Sequence, residues 1–242
     1  MQRSAIDERS LPDATAPHDT RANSVLRPIV FGANDGLVSN LALVMGVAGA
    51  TSDPGVIVLA GVAGLIAGAF SMGVGEYISV QSQRELLDYQ VAFQRKQLRE
   101  APEQERAILA GLYLERGFSQ EETDQFVNAV FDEPDHAVRL LIFEEVGLDA
   151  RSIGSPQAAA IGSFASFTAG AFVPLLPFLL SVGTPAFVAS LSVSLAALAL
   201  LGTGIASLTR RPAAYGAVRQ VLLGGVAAAV TYGVGLLVGV GV

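Results

Sequence analysis

The 242-residue chain contains no cysteine, which excludes disulfides and thiolate metal sites together. Histidine is almost as scarce: His18 and His136 are too few and too far apart for an imidazole cage. Any metal must therefore be held by oxygen, with a methionine thioether as the soft donor. Charge is sparse too, at 15% of residues, where a soluble domain carries about a quarter. Residues 153–209 include no Asp, Glu, Lys or Arg, and such runs read as membrane spans. The first 25 residues lack the apolar core of a signal peptide and read as a disordered cytosolic tail.

What is present is 51% hydrophobic, and it falls into five stretches long enough to cross about 30 Å of hydrocarbon. They cover residues 28–50, 55–80, 157–182, 185–208 and 213–242. Pro28 and Pro185 sit at expected helix starts, whereas Pro174 and Pro177 predict a kink or break inside the third span. The fold class is thus all-α: a polytopic membrane protein with five transmembrane helices. A small cytosolic helical domain is inserted between the second and third. The domain plan is a tail over 1–25, two spans over 26–81, the insert over 82–155 and three spans over 156–242.

Most of the acid lies in that insert: residues 81–153 hold 15 of the 22 Asp and Glu but eight of the 15 Lys and Arg. The chain's net charge of −7 is that segment's own, which argues against nucleic acid as a partner and for cations. Arg21, Arg27, Arg84, Arg95, Lys96, Arg151, Arg210, Arg211 and Arg219 all fall on one side of the membrane, and loops 51–54 and 183–184 carry no positive charge. The N-terminus and insert are then cytosolic and the C-terminus outside.

Within the insert, residues 81–100 continue the second span as a stalk until Ala101-Pro102 breaks it. A helix over 103–116 ends at Gly117. Ser119 and Glu122 form a capping box for a third helix, to Phe131, and Asp135 caps a fourth that ends at Gly147. Ile108, Leu109 and Leu112, then Phe126, Val127 and Val130, then Val138, Leu141 and Ile142 give each helix an apolar face.

Asp35 and Glu76 are the acidic residues inside the spans. An ionisable group at membrane depth is expensive and marks a pathway or relay. Both lie roughly 6–11 Å inside the cytosolic boundary, counting 1.5 Å per residue. Met72 is one turn from Glu76, and Asn34, Ser39 and Asn40 surround Asp35. A single such carboxylate can simply be protonated and hydrogen-bonded to Ser or Asn; two at matching depth on consecutive helices favour a functional site. Carboxylates with neutral oxygens suit a divalent cation, and a thioether turns preference from Mg²⁺ and Ca²⁺ towards Fe²⁺. A carboxylate withdrawn from water favours its protonated form, and metal binding requires that proton to leave. One site holding either metal or proton yields metal–proton exchange.

Other features are less specific. Gly32 and Gly36, Gly64 and Gly68, and Gly235 and Gly239 have small-xxx-small spacing, which serves packing within one bundle or a dimer contact. Glu100, Glu103 and Glu105, and Glu144 and Glu145, cluster in the insert as metal donors or as solvated helix-end acids. No His lies in a span, so an intramembrane hydrolase lacks its base. A membrane metal sensor or receptor that does not transport is the alternative reading.

The run Phe31-Gly-Ala-Asn-Asp-Gly-Leu-Val-Ser-Asn40, with Gly68-Ala-Phe-Ser-Met-Gly-Val-Gly-Glu-Tyr-Ile-Ser-Val80, resembles the vacuolar iron transporter family. The resemblance covers residue 25 to the end. It implies a dimeric iron(II)/manganese(II)–proton antiporter without a cofactor, its pathway running between two copies of the first helix. Asp35 and Met72 match the family's pathway aspartate and methionine. A second pathway Glu of plant-like members falls at Gly64, and Glu76 is a nearby substitute. Glu105 and Glu145 match metal ligands of the insert, while Gln94, Gln97, Ile108, Leu141 and Ile142 stand where other ligands are expected. Compact length and motif wording look bacterial, which implies a plasma-membrane location.

Overall fold

In the computed structural model, residues 20–146 and 154–239 are described, the side chains of 20–25 and 145–146 excepted. The predicted tail over 1–25, Glu145 and Arg151 therefore fall outside the described side chains. Among the described residues eight helices follow one another: α1 Thr20–Ala50, α2 Pro54–Glu100, α3 Pro102–Glu115, α4 Gln120–Phe131, α5 Pro134–Val146, α6 Pro156–Leu180, α7 Gly183–Leu208 and α8 Ala213–Gly239. No strand occurs among the described residues. Five of the helices, α1, α2, α6, α7 and α8, are long and apolar enough to cross a membrane.

Helix α1 lies at the centre of the bundle, against α2, α6, α7 and α8. Leu37, Leu41, Val44 and Met45 recur at helical spacing and are fully buried with Leu175, Phe178 and Leu198. The paired glycines act within this single chain. Side chains at Gly32 and Gly36 would strike Ser163, Ser166 and Phe167 of α6, and at Gly235 and Gly239 the backbone of α1. Small residues there let helix backbones touch, where dispersion and not water exclusion must hold helices together.

Helix α2 is unbroken for 47 residues, as the stalk reading required. Asp53 caps its start by accepting from the Gly55 N–H (2.8 Å). Beyond the apolar span it carries a second, smaller core, in which Leu109, Val127, Val130, Ala137 and Leu141 pack beneath Leu98 and Phe126. Gly117 closes α3 at φ +93°, a conformation free of strain only without a Cβ. Ser119 and Glu122 form the expected reciprocal box at α4. Ser119→Ala should cost about 1 kcal/mol of local stability, read as faster amide hydrogen exchange confined to the first turn of α4.

Four local expectations are corrected. Pro28 lies inside α1 rather than at its start; the bond it removes belongs to residue 24, before the apolar stretch. Pro174 and Pro177 do not break α6. Both are buried, and the Pro174 carbonyl accepts from the Ser190 hydroxyl (2.6 Å), so tertiary packing outweighs the local disruption. Helix α5 begins at Pro134, placing Asp135 in its first turn, where it pairs with Arg95 (3.0 Å). Ile108 is exposed, because the inward line of α3 runs through Glu105 and Leu109 instead.

An ion pair adds to the apolar packing between α3 and α5. Arg116, the C-terminal cap of α3, grips both oxygens of Glu144, and Tyr113 donates its hydroxyl to the same carboxylate (3.3 Å). The Arg116 hydrogen bonds hold the Glu144 carboxyl below the usual carboxylate range, and burial followed by the Glu144 charge pushes the Tyr113 phenol up. A lowered carboxyl contributes stability above its unfolded value and loses it as pH falls through the folded one. Acidification below the carboxylate range should therefore loosen α5 from α3. Arg116→Gln should flatten that acid limb, measured as helicity or Tyr113 fluorescence against pH.

Candidate functional site

A cavity of about 260 Å³ opens between α1, α2 and α6. Helix α1 supplies Asp35, Ser39, Asn40 and Leu43, spaced to one face. Helix α2 supplies Gly64, Gly68, Ser71 and Met72, and Phe167 of α6 completes the wall. The two glycines make the space. A side chain at Gly64 would meet Leu43 and Asn40, and one at Gly68 would meet the Phe167 ring.

The polar atoms of this cavity are unevenly satisfied. Ser39 donates its hydroxyl to the Asp35 backbone carbonyl one turn earlier, which leaves the serine oxygen able to accept. Asn40 is buried and donates its amide to the Ala171 carbonyl (2.6 Å). That bond assigns the amide's orientation and turns Oδ1 away from α6. Asn40 Oδ1 is fully buried and has no hydrogen-bond partner. A buried orphan acceptor carries a cost of about 1–3 kcal/mol, and a cation or its hydration water would relieve it. The cavity thus combines one carboxylate, one unsatisfied amide oxygen, two hydroxyls and one thioether.

Asp35, Ser39, Asn40 and Met72 meet here; Asn34 and Glu76 are not among the lining residues. Asn34 is rotated about 100° from Asp35 around α1, and its Oδ1 is a second buried acceptor without a partner. Antiparallel pairing of Leu43 with Gly64 carries Glu76 past the cavity, to about the level of Phe31. Phe167 and Ser71 were missed by sequence reasoning. Ser71 shares the α2 face of Gly64, Gly68 and Met72, a signal readable from spacing; Phe167 comes from a distant helix and leaves no such trace.

In the insert, Glu100 and Glu103 are exposed, whereas Glu105 is buried and accepts from the Gln94 amide (3.0 Å). Both oxygens of Glu144 are engaged by Arg116, and Glu145 lies outside the described side chains. Leu141 and Ile142 are buried, Leu141 within the apolar core, and Ile108 points outward. Among the described residues, no three His, Asp or Glu side chains converge to hold a metal.

The chain is similar to the vacuolar iron transporter of Acanthamoeba castellanii, 35% identical over 216 residues that span 88% of this chain and 78% of that one. It is 29% identical over 237 residues to vacuolar iron transporter 2 of Oryza sativa subsp. japonica (96% and 92%). To vacuolar iron transporter 1 of Eucalyptus grandis it is 28% identical over 230 residues (95% and 92%). Residues 26–236 match the VIT family, and with nearly the whole bundle and the Asp35 cavity inside that match, the chain belongs to it.

Proposed function

We propose that the chain moves Fe²⁺, Mn²⁺ or both out of the cytosol in exchange for protons, serving iron and manganese homeostasis. VIT family members are transporters, so the chain is not an enzyme, and iron is cargo rather than cofactor. One observation carries the reading: Asp35 lies within a helix long and apolar enough to span a membrane and lines a cavity together with Met72 and the orphaned Asn40 oxygen. A titratable carboxylate beside a soft donor can exchange a proton for a borderline divalent ion.

The reading includes a homodimer. One protomer offers the cavity a single carboxylate and no convergent acidic trio among its described residues. A second copy related by a two-fold axis would double the donors, with α1 beside its counterpart. The N-terminus and insert face the cytosol in this proposal, on the distribution of Lys and Arg, and the compact chain resides in a bacterial plasma membrane. At the opposite end of the bundle a second cavity, lined by Thr51, Ser52, Thr184 and Tyr232, offers hydroxyls where the cation would leave. Glu105 and Glu145 of the insert, with Glu100, Glu103 and Glu144 as weaker candidates, would gather metal before entry.

The test is reconstitution into liposomes enclosing a pH dye, with Mn²⁺ or anaerobic Fe²⁺ added outside. Metal entry accompanied by opposing proton movement supports the exchange. Metal bound by folded protein without flux would instead favour the membrane sensor.

A further inference from the structure

The far end of α2, the first turns of α3 and α5, and Phe131 at the end of α4 enclose a cavity of about 410 Å³. It is separate from the Asp35 site, and its chemistry is opposite. Three arginines line it: Arg95 and Arg99, one turn apart on α2, and Arg106 from α3. Against them stand Glu103 and Asp135, the latter already paired with Arg95. The first residues of two helices, Pro102 of α3 and Pro134 of α5, also line it, and a helix N-terminus carries positive partial charge. The surrounding insert is strongly acidic, so this is a local inversion of charge.

The arginines are partly positioned in advance. Arg106 donates to Asn128 Oδ1 (2.9 Å), and its guanidinium lies 4.6 Å from the centre of the Phe131 ring. Arg95 is held by Asp135 at 3.0 Å. Guanidinium forks match carboxylates and phosphates bidentately, while Leu98, Phe131 and Val138 give the cavity an apolar wall. A membrane lipid is the wrong source. Arg95 is 15 residues beyond Val80, the predicted end of the apolar span, about 22 Å along the helix, and headgroups extend only about 5–8 Å beyond the hydrocarbon.

We propose that this cavity binds a small soluble organic polyanion, carrying carboxylate or phosphate groups on a compact apolar or planar body. Arg99 and Arg106 take the anionic groups, and the Phe131 side takes the body.

The test is calorimetric titration of the purified full-length protein in detergent with ATP and, separately, with citrate, beside wild type, Arg99→Ala, Arg106→Gln and Arg139→Ala. Arg139 is exposed and lies outside the cavity lining. Saturable binding of either probe is expected, weakened about tenfold or more in Arg99→Ala and Arg106→Gln, the loss of a charge-assisted hydrogen bond, and unchanged in Arg139→Ala. Preference for ATP identifies a phosphorylated ligand with a planar body; preference for citrate identifies a polycarboxylate. Thermal unfolding of each variant separates lost binding from lost fold, and the exposed Arg99→Ala carries the result if Arg106→Gln is unstable. No saturable binding at millimolar probe, or equal loss in Arg139→Ala, overturns the proposal.

Discussion

Asp35→Asn should reduce coupled metal flux by about two orders of magnitude while leaving the bundle folded. The substitution keeps the side chain's size and one acceptor oxygen, so packing around the cavity is preserved. It removes the negative charge that compensates a divalent ion and the only carboxyl in the cavity lining that can exchange a proton. Metal binding and proton movement should therefore fall together. Glu76→Gln, outside the lining, should retain most of the flux. Met72→Leu should alter the preference between Fe²⁺ and Mn²⁺ more than the rate, because a thioether favours the softer ion. The measurement is initial metal entry and dye response in the same liposomes. Proton movement that persists in Asp35→Asn would assign the exchange to another group.

These contrasts also mark where sequence reasoning runs out. Features that depend on helical spacing alone were legible: Asp35 and Ser39 one turn apart, Met72 one turn from Glu76, Ser119 three before Glu122. Each depends on a single helix whose period is known. Glu76 shares a face with Met72, but whether it reaches the cavity depends on how far α1 and α2 are slid past each other. That offset is set by contacts such as Leu43 against Gly64, which no one-helix pattern encodes. Phe167 and the Ala171 carbonyl arrive from α6, the latter 131 residues from Asn40 in sequence. Pro174 and Pro177 leave α6 unbroken for the converse reason: local propensity was outweighed by burial and by hydroxyls such as Ser190 from a neighbouring helix.

The seam beside the cavity should be among the least tolerant places in the molecule. A Cβ at Gly36 would fall against the Phe167 carbonyl and come within 3.0 Å of the Ala171 nitrogen. Gly170 on the facing helix is equally tight, against the Ala33 carbonyl and the Leu37 nitrogen. Backbone meets backbone on both sides, so no side-chain rotation can absorb an added methyl. Gly36→Ala should therefore force α1 and α6 apart at a cost of about 1–3 kcal/mol or more, lowering the thermal midpoint in detergent. The displacement should also stretch the Asn40–Ala171 bond and widen the cavity beside Asp35, so flux should fall even in molecules that remain folded. Gly75→Ala is the matched control. Nothing lies within 4 Å of a Cβ there, and alanine is a better helix former by about 1 kcal/mol, so its midpoint should hold or rise. If Gly36→Ala keeps both midpoint and flux, the seam is compliant, and the position of Asp35 depends on contacts other than the close approach of α1 to α6.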